Sequence, residues 1–143
     1  NLRPTDLQAF LGLRQIDRIE WLIQRRWENH QLYMKLLGNR FQTQKYDKDS
    51  VVCSIHFGVL ADDLEQRKVI IAALNEAGIE NRIFAAGNLG LHPFWYEKYG
   101  KSSFPMADRI HSCGFFLPNN PSLSSTDINF ICNVVLESIK HKA

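Results

Sequence analysis

The run from Val51 to Leu60 constrains the fold most, because its side chains alternate in character. Val51, Cys53, Ile55, Phe57 and Val59 share one face of an extended chain; Val52, Ser54, His56 and Gly58 share the other. A period of two with one apolar and one mixed face predicts a half-buried strand over residues 51–60. Such a strand needs an apolar layer against its inner face, and the next segment offers one. Asp62 or Asp63 caps a helix running to about Ala77, with Ile70, Ala73, Leu74 and Ala77 on its inner side. Gly78 stands where a helix end takes a left-handed residue, and Ile79 can fold back on the last turn.

The rest of the chain extends this pattern. Residues 5–37 read as helix, with Thr5 as N-cap and Pro4 keeping the chain extended ahead of it. Ile16, Ile19, Ile23 and Trp27 recur at helical spacing as an apolar stripe, and Gly12 is the candidate bend. Residues 38–50 are polar and irregular and read as an exposed connection. A second strand is expected at about 80–86, broken by Gly87. There Ile79, Asn81, Ile83 and Ala85 share one face and Glu80, Arg82, Phe84 and Ala86 the other, so Ile83 is expected in the core with Arg82 pointing away. Residues 87–102 form a loop with a short aromatic turn. Pro105 to Ser112 reads as a brief helix and Cys113 to Leu117 as a third strand, stopped by Pro118 and Pro121. Ser124 or Ser125 caps a last helix to about Lys140, with Ile128, Ile131, Val135 and Leu136 inward. Helix, strand, helix, strand, helix, strand, helix predicts one α+β domain over 1–143, a small sheet covered by helices.

Composition narrows the function classes. The 143 residues are 45% apolar and 22% charged, an ordinary soluble mix long enough for one core. A formal net charge of +2 argues against nucleic acid or an anionic membrane as partner. No apolar stretch is long enough to span a bilayer. Cys53, Cys113 and Cys132 lack a CxxC spacing and read as reduced thiols of a cytoplasmic protein. The chain opens on Asn1 with no signal-peptide pattern, which reads as a fragment or processed product.

Generic catalytic motifs are missing: no phosphate-binding glycine loop, no GxSxG, no HExxH. Cys53 and His56 fall on opposite strand faces, and His111 with Cys113 has no partner pair, so no zinc site is expected. Residue types alone favour Trp95, in HPFWYEKYG, as a plug at the end of the core over a pocket wall. Arg82 offers paired hydrogen bonds to phosphate or sugar oxygens. Asn88 offers a donor and an acceptor after the sharp turn at Gly87, and Pro93 restricts His92. Chemistry alone would leave these as a surface arginine and a turn-capping asparagine.

Longer segments carry a resemblance. Asn1, Arg3, Thr5, Asp6, Gln8, Ala9, Gly12, Leu13, Gln15, Arg25 and Arg26 stand in register with the stretch after the catalytic lysine in the DegT/DnrJ/EryC1/StrS sugar aminotransferases. LNEAGIENRIFAAGNLGLHPFW, with the triplet Ala86-Gly87-Asn88, resembles the branch that includes the 4-keto-6-deoxysugar 3-dehydratases, and FFLPNNPSLSSTDI resembles the family's closing segment. The resemblance implies the C-terminal small domain of a fold-type I enzyme dependent on pyridoxal phosphate (PLP), normally a homodimer acting on nucleotide-linked keto-sugars. It also implies that the PLP-binding large domain and its lysine lie outside this chain, so that the chain alone binds no PLP and is inactive. By the same resemblance Asn1 reaches the PLP phosphate of the neighbouring subunit, in the intact dimer only, and Arg82, Asn88 and His92 face the sugar nucleotide. By the resemblance, AAGNLGLHPFW stands where aminotransferase members carry a different, His-containing segment, which leaves the aminotransferase and 3-dehydratase branches both open and weighs towards a dehydratase or another branch bearing Ala-Gly-Asn. The alternative is a stand-alone, non-catalytic module that dimerises through its first helix or binds a sugar nucleotide.

Overall fold

The computed structural model describes residues 3–140. Its elements are α1 (Asp6–Ile16), α2 (Ile19–Leu37), β1 (Gln42–Thr43), β2 (His56–Leu60), α3 (Leu64–Glu76), β3 (Arg82–Ile83), a 3₁₀ turn (Leu89–Leu91), α4 (Pro93–Tyr99), α5 (Pro105–Cys113), β4 (Gly114–Pro118) and α6 (Ser125–Lys140). The strands form one antiparallel sheet in the order β1-β2-β4-β3. Phe57 lies opposite Leu117 and Val59 opposite Phe115. All four are buried beneath Tyr33 and Leu37 of α2, Ile70 and Leu74 of α3, and Ile128, Ile131 and Val135 of α6. Helices cover this face alone, giving the α+β class expected from the element order.

The caps follow local chemistry. Thr5 and Gln8 form a reciprocal capping box, with the Thr5 amide donating to Gln8 Oε1 at 2.8 Å. Asp63, of the two candidates, caps α3 by accepting from the Gln66 amide at 2.7 Å. Gly78 turns the chain at φ +68, and the Ile79 amide returns to the Leu74 carbonyl at 2.8 Å. Ser124, not Ser125, starts α6: its amide donates to Asp127 Oδ2 at 2.8 Å and its hydroxyl accepts from the Asp127 amide at 3.2 Å.

Four expectations need correction. The first helix breaks at Asp17–Arg18, not at Gly12, and its upstream part packs on nothing: α1 has no buried residue. Ile16 and Ile19 are therefore exposed, and the inward side of α2 is Asn29, His30, Tyr33 and Leu37. The strand at 51–60 shrinks to 56–60. β4 ends opposite His56, and beyond it Asn119 replaces the ladder, its amide donating to the Ile55 carbonyl and its Nδ2 to the Ser54 carbonyl. A bend at Ile55 then reverses the alternation, burying Val52 and leaving Val51, Cys53 and Ile55 outside. The 38–50 connection hides buried Phe41 and the edge strand β1. The second strand keeps only Arg82–Ile83, and Ile83 is 58% exposed; it shares the core face with Phe115, but at a sheet edge that no helix covers.

Candidate functional site

Two regions matter: the loop carrying the residues singled out in the sequence, and the uncovered face of the sheet. The loop begins at Gly87, whose φ is +55. A side chain there would bring its Cβ to 2.0 Å from His111 Nδ1, so both backbone sign and space require glycine. That close approach lets the Asn88 amide donate to His111 Nδ1 at 3.3 Å. Asn88 itself is 2% exposed. Its Oδ1 accepts from the Gly90 amide at 2.8 Å, capping the 3₁₀ turn, and its Nδ2 donates to Asp108 Oδ1 at 2.5 Å, tying the turn to α5. Both ends of the Asn88 side chain are thus engaged inside the fold, where it shapes the loop. His92 starts α4 with its Nε2 at 2.9 Å from the Ala86 carbonyl. Arg82 is exposed and paired with Glu80, with Nη2 to Oε1 at 3.1 Å.

The strand register puts Arg82 opposite Phe116 and so on the uncovered side of the sheet, as expected from its alternation. None of Arg82, Asn88 and His92 lines the groove on the uncovered face or the hollow beside the loop. Asn1 lies outside the described residues.

Sequence reasoning missed the uncovered face as a site. It is a groove of about 830 Å³ with an aromatic floor. Phe116 stacks on His56 (centroids 5.2 Å apart, planes at 26°) and meets Phe84 at 4.1 Å. Gly58 and Gly114 leave room for Phe84 to lie across the strands; a Cβ on Gly114 would come within 2.1 Å of its ring. Met106 and Ile110 of α5 make one wall, and Gln42, Gln44, Lys45 and Ser54 the polar rim. An antiparallel sheet that faces water carries polar residues on that side; this one carries Leu60, Phe84 and Phe116. The recurring phenylalanines were visible in the sequence, but their shared face depends on the β3–β4 register. A smaller hollow of about 690 Å³ lies beside the loop, between Gly90, Tyr96, Lys101, Ser102, Ser103 and Asp108.

The residues of the groove do not by themselves fit PLP. The cofactor needs a desolvated lysine for its imine, phosphate donors and an acid for the ring nitrogen. The groove's lysine, Lys45, sits on the exposed rim, and no carboxylate lines the groove. Among the described residues no group of three or more His, Cys, Asp or Glu is placed to hold a metal, and no helix is long and apolar enough to cross a membrane.

Comparison with known proteins completes the description. The chain is 29% identical over 143 residues to GDP-perosamine synthase of Escherichia coli O157:H7, which covers 99% of this chain and 38% of that protein. It is 26% identical to GDP-perosamine synthase of Vibrio cholerae, over 94% of this chain and 37% of the relative. It thus spans well under half the length of the curated relatives it matches. The fold is similar to part of an aminotransferase of pseudoaminic acid biosynthesis from Helicobacter pylori, with TM-score 0.85, 18% identity, and coverage of 99% and 39%. It is similar also to part of the E. coli GDP-4-keto-6-deoxy-D-mannose-3-dehydratase solved with bound hydrated PLP, with TM-score 0.80, 20% identity, and coverage of 94% and 36%. The sequence pattern of one family matches residues 1–136, nearly the whole chain: the chain belongs to the DegT/DnrJ/EryC1/StrS aminotransferase family.

Proposed function

We propose that this chain is the small-domain portion of a PLP-dependent enzyme acting on nucleotide-linked 4-keto-6-deoxysugars. The observation that carries the reading is the family match over 1–136 joined to a coverage of about 38% of the relatives' length. The uncovered surfaces agree with it. Leu7, Phe10, Leu11, Leu13 and Ile16 of α1 are all exposed, Leu7 at 69%. At 3.6 residues per turn they wrap roughly 220° of the helix, more than one neighbour can cover. In this reading α1 and the sheet groove meet the cofactor-binding domain and a second subunit, and the chain contributes shape and orientation to the sugar-nucleotide pocket. Arg82 remains the residue best placed to reach a phosphate or sugar oxygen, because it is exposed at a sheet edge and held only by Glu80. His92 contributes from the separate loop, and Asn88 serves by fixing that loop. Asn1 is proposed to contact the PLP phosphate across the dimer.

The test is to express the complete reading frame that contains Asn1 and assay it with PLP and GDP-4-keto-6-deoxymannose. Conversion of the sugar nucleotide, with Arg82→Ala weakening its binding tenfold or more and leaving PLP affinity unchanged, supports the reading. The chain by itself should show no stoichiometric borohydride trapping of PLP on one lysine. Single-site trapping, or a reading frame with no further domain, points instead to a stand-alone module.

A further inference from the structure

His30 is the most deeply buried ionisable imidazole of the described chain, 2% exposed, and neither ring nitrogen has a hydrogen-bond partner. Aromatic rings enclose it. Trp27 of the preceding turn stacks on it at 5.8 Å and 13°. Phe57 of β2 meets it edge-on at 5.2 Å and 62°, and Tyr46 closes the outer side at 5.2 Å and 71°. Trp27 and Phe57 belong to α2 and β2, whereas Tyr46 sits on the irregular segment 44–50. Two residues of that segment, Gln44 and Lys45, form part of the rim of the sheet groove.

We propose that His30 and Tyr46 form a proton-operated latch, which holds segment 44–50 and the Gln44–Lys45 rim of the groove closed while the imidazole is neutral. Protonation places a charge in a box of hydrocarbon with no acceptor, and an imidazolium there must recruit water. Tyr46 is the wall that can yield, since moving Trp27 or Phe57 would break a helix or the central strand pair. The charged and titratable groups around the box do not relieve the charge. On α2, Arg26 lies one turn away with its own Nε buried and unpartnered, and Tyr33 stacks on Phe57 and donates its hydroxyl to the Pro118 carbonyl. On the segment, Lys45 and Asp47 flank Tyr46 and are exposed; on β2, His56 points to the opposite sheet face, against Phe116. Burial alone shifts His30, downward from the ordinary imidazole value of 6.5. The neutral, closed form is therefore favoured at neutral pH. The latch loosens as pH falls through the ordinary value towards the lowered one.

Two-dimensional NMR of the whole chain across pH 4–8 reads both partners. The expected result is a His30 ring titrating below about 6.5, with the amides of 44–46 moving at the same midpoint and exchanging faster on the acid side. Met106, on the groove wall, should report the same midpoint. His30→Phe should remove the step at 44–46. Tyr46→Ala, which leaves α2 and β2 intact, should return His30 to an ordinary titration and decides the matter if His30→Phe does not fold. A His30 ring that titrates at or above the ordinary value with Tyr46 in place would overturn the latch, because the box would then be stabilising the cation through its π faces. Segment amides that show no step at the His30 midpoint would overturn it equally.

Discussion

At the scale of single residues, the glycines give the clearest test of the local geometry. Gly87 and Gly100 both have positive φ, +55 and +77. A Cβ on Gly100 would meet nothing within 4 Å, whereas one on Gly87 would strike the His111 ring. Gly100→Ala should therefore cost about 1–2 kcal/mol, the left-handed backbone penalty alone, and Gly87→Ala about 1–3 kcal/mol more from crowding. Urea denaturation of the two variants checks the order. Asn88→Ala should cost about 1–3 kcal/mol, because it leaves the Gly90 amide and Asp108 without partners. The need for glycine at 87 was legible in the sequence, since a sharp turn after a strand calls for it. The side-chain role of Asn88 was not: an asparagine that caps a 3₁₀ turn and one that binds a hydroxyl have the same residue type and spacing. The thiols divide just as plainly. Cys53 is exposed, while Cys113 and Cys132 are buried, and burial pushes the Cys132 thiol up to about 12. A thiol reagent at neutral pH should label Cys53 alone in the native chain, and all three only after denaturation.

Among the elements, α6 and α1 are opposites. α6 was readable almost to its ends, because its inward residues recur at helical spacing and Ser124 announces its start. Its cap also titrates. Asp127 is held below its ordinary carboxylate value by the hydrogen bonds from the Ser124 amide and hydroxyl. A lowered folded value gives stability that is present above the unfolded value near 3.9 and lost as pH falls through the lowered one. Asp127→Asn should thus remove that contribution, lowering α6 protection at neutral pH and flattening the acid limb of its hydrogen exchange below about pH 4. α1 was legible as helix, from Thr5 as N-cap, but as part of one helix over 5–37 and not as a solitary one. Periodicity reports that a helix has an apolar side; it does not report whether the partner lies within the same chain. In solution the exposed side should drive association. Replacing Phe10 and Leu11 together by Glu should lower the sedimenting mass at high concentration and leave the unfolding free energy within about 0.5 kcal/mol, since neither side chain is buried.

For the molecule as a whole, the fold class came directly from the alternation of patterns, while β1, the split of the first helix, α4 and the strand limits were not read from it. Residues 51–55 alternate as well as 56–60, yet only the latter find β4 opposite them. The β3–β4 pairing sets Arg82 and Phe116 on the uncovered side of the sheet and Ile83 on the other, where it does not reach the covered core. The strand order β1-β2-β4-β3 has a further consequence during synthesis on the ribosome. The central pair joins Gly58 to Phe116, and α6, part of the layer that seals it, follows β4 in the chain. Until α6 leaves the exit tunnel, Phe57, Val59, Ile70 and Leu74 have no complete core to enter, and loop closure across so many residues is slow. The nascent chain therefore exposes the apolar side of β2 until β4 and α6 emerge, and a product stopped before β4 should be retained by chaperones or degraded.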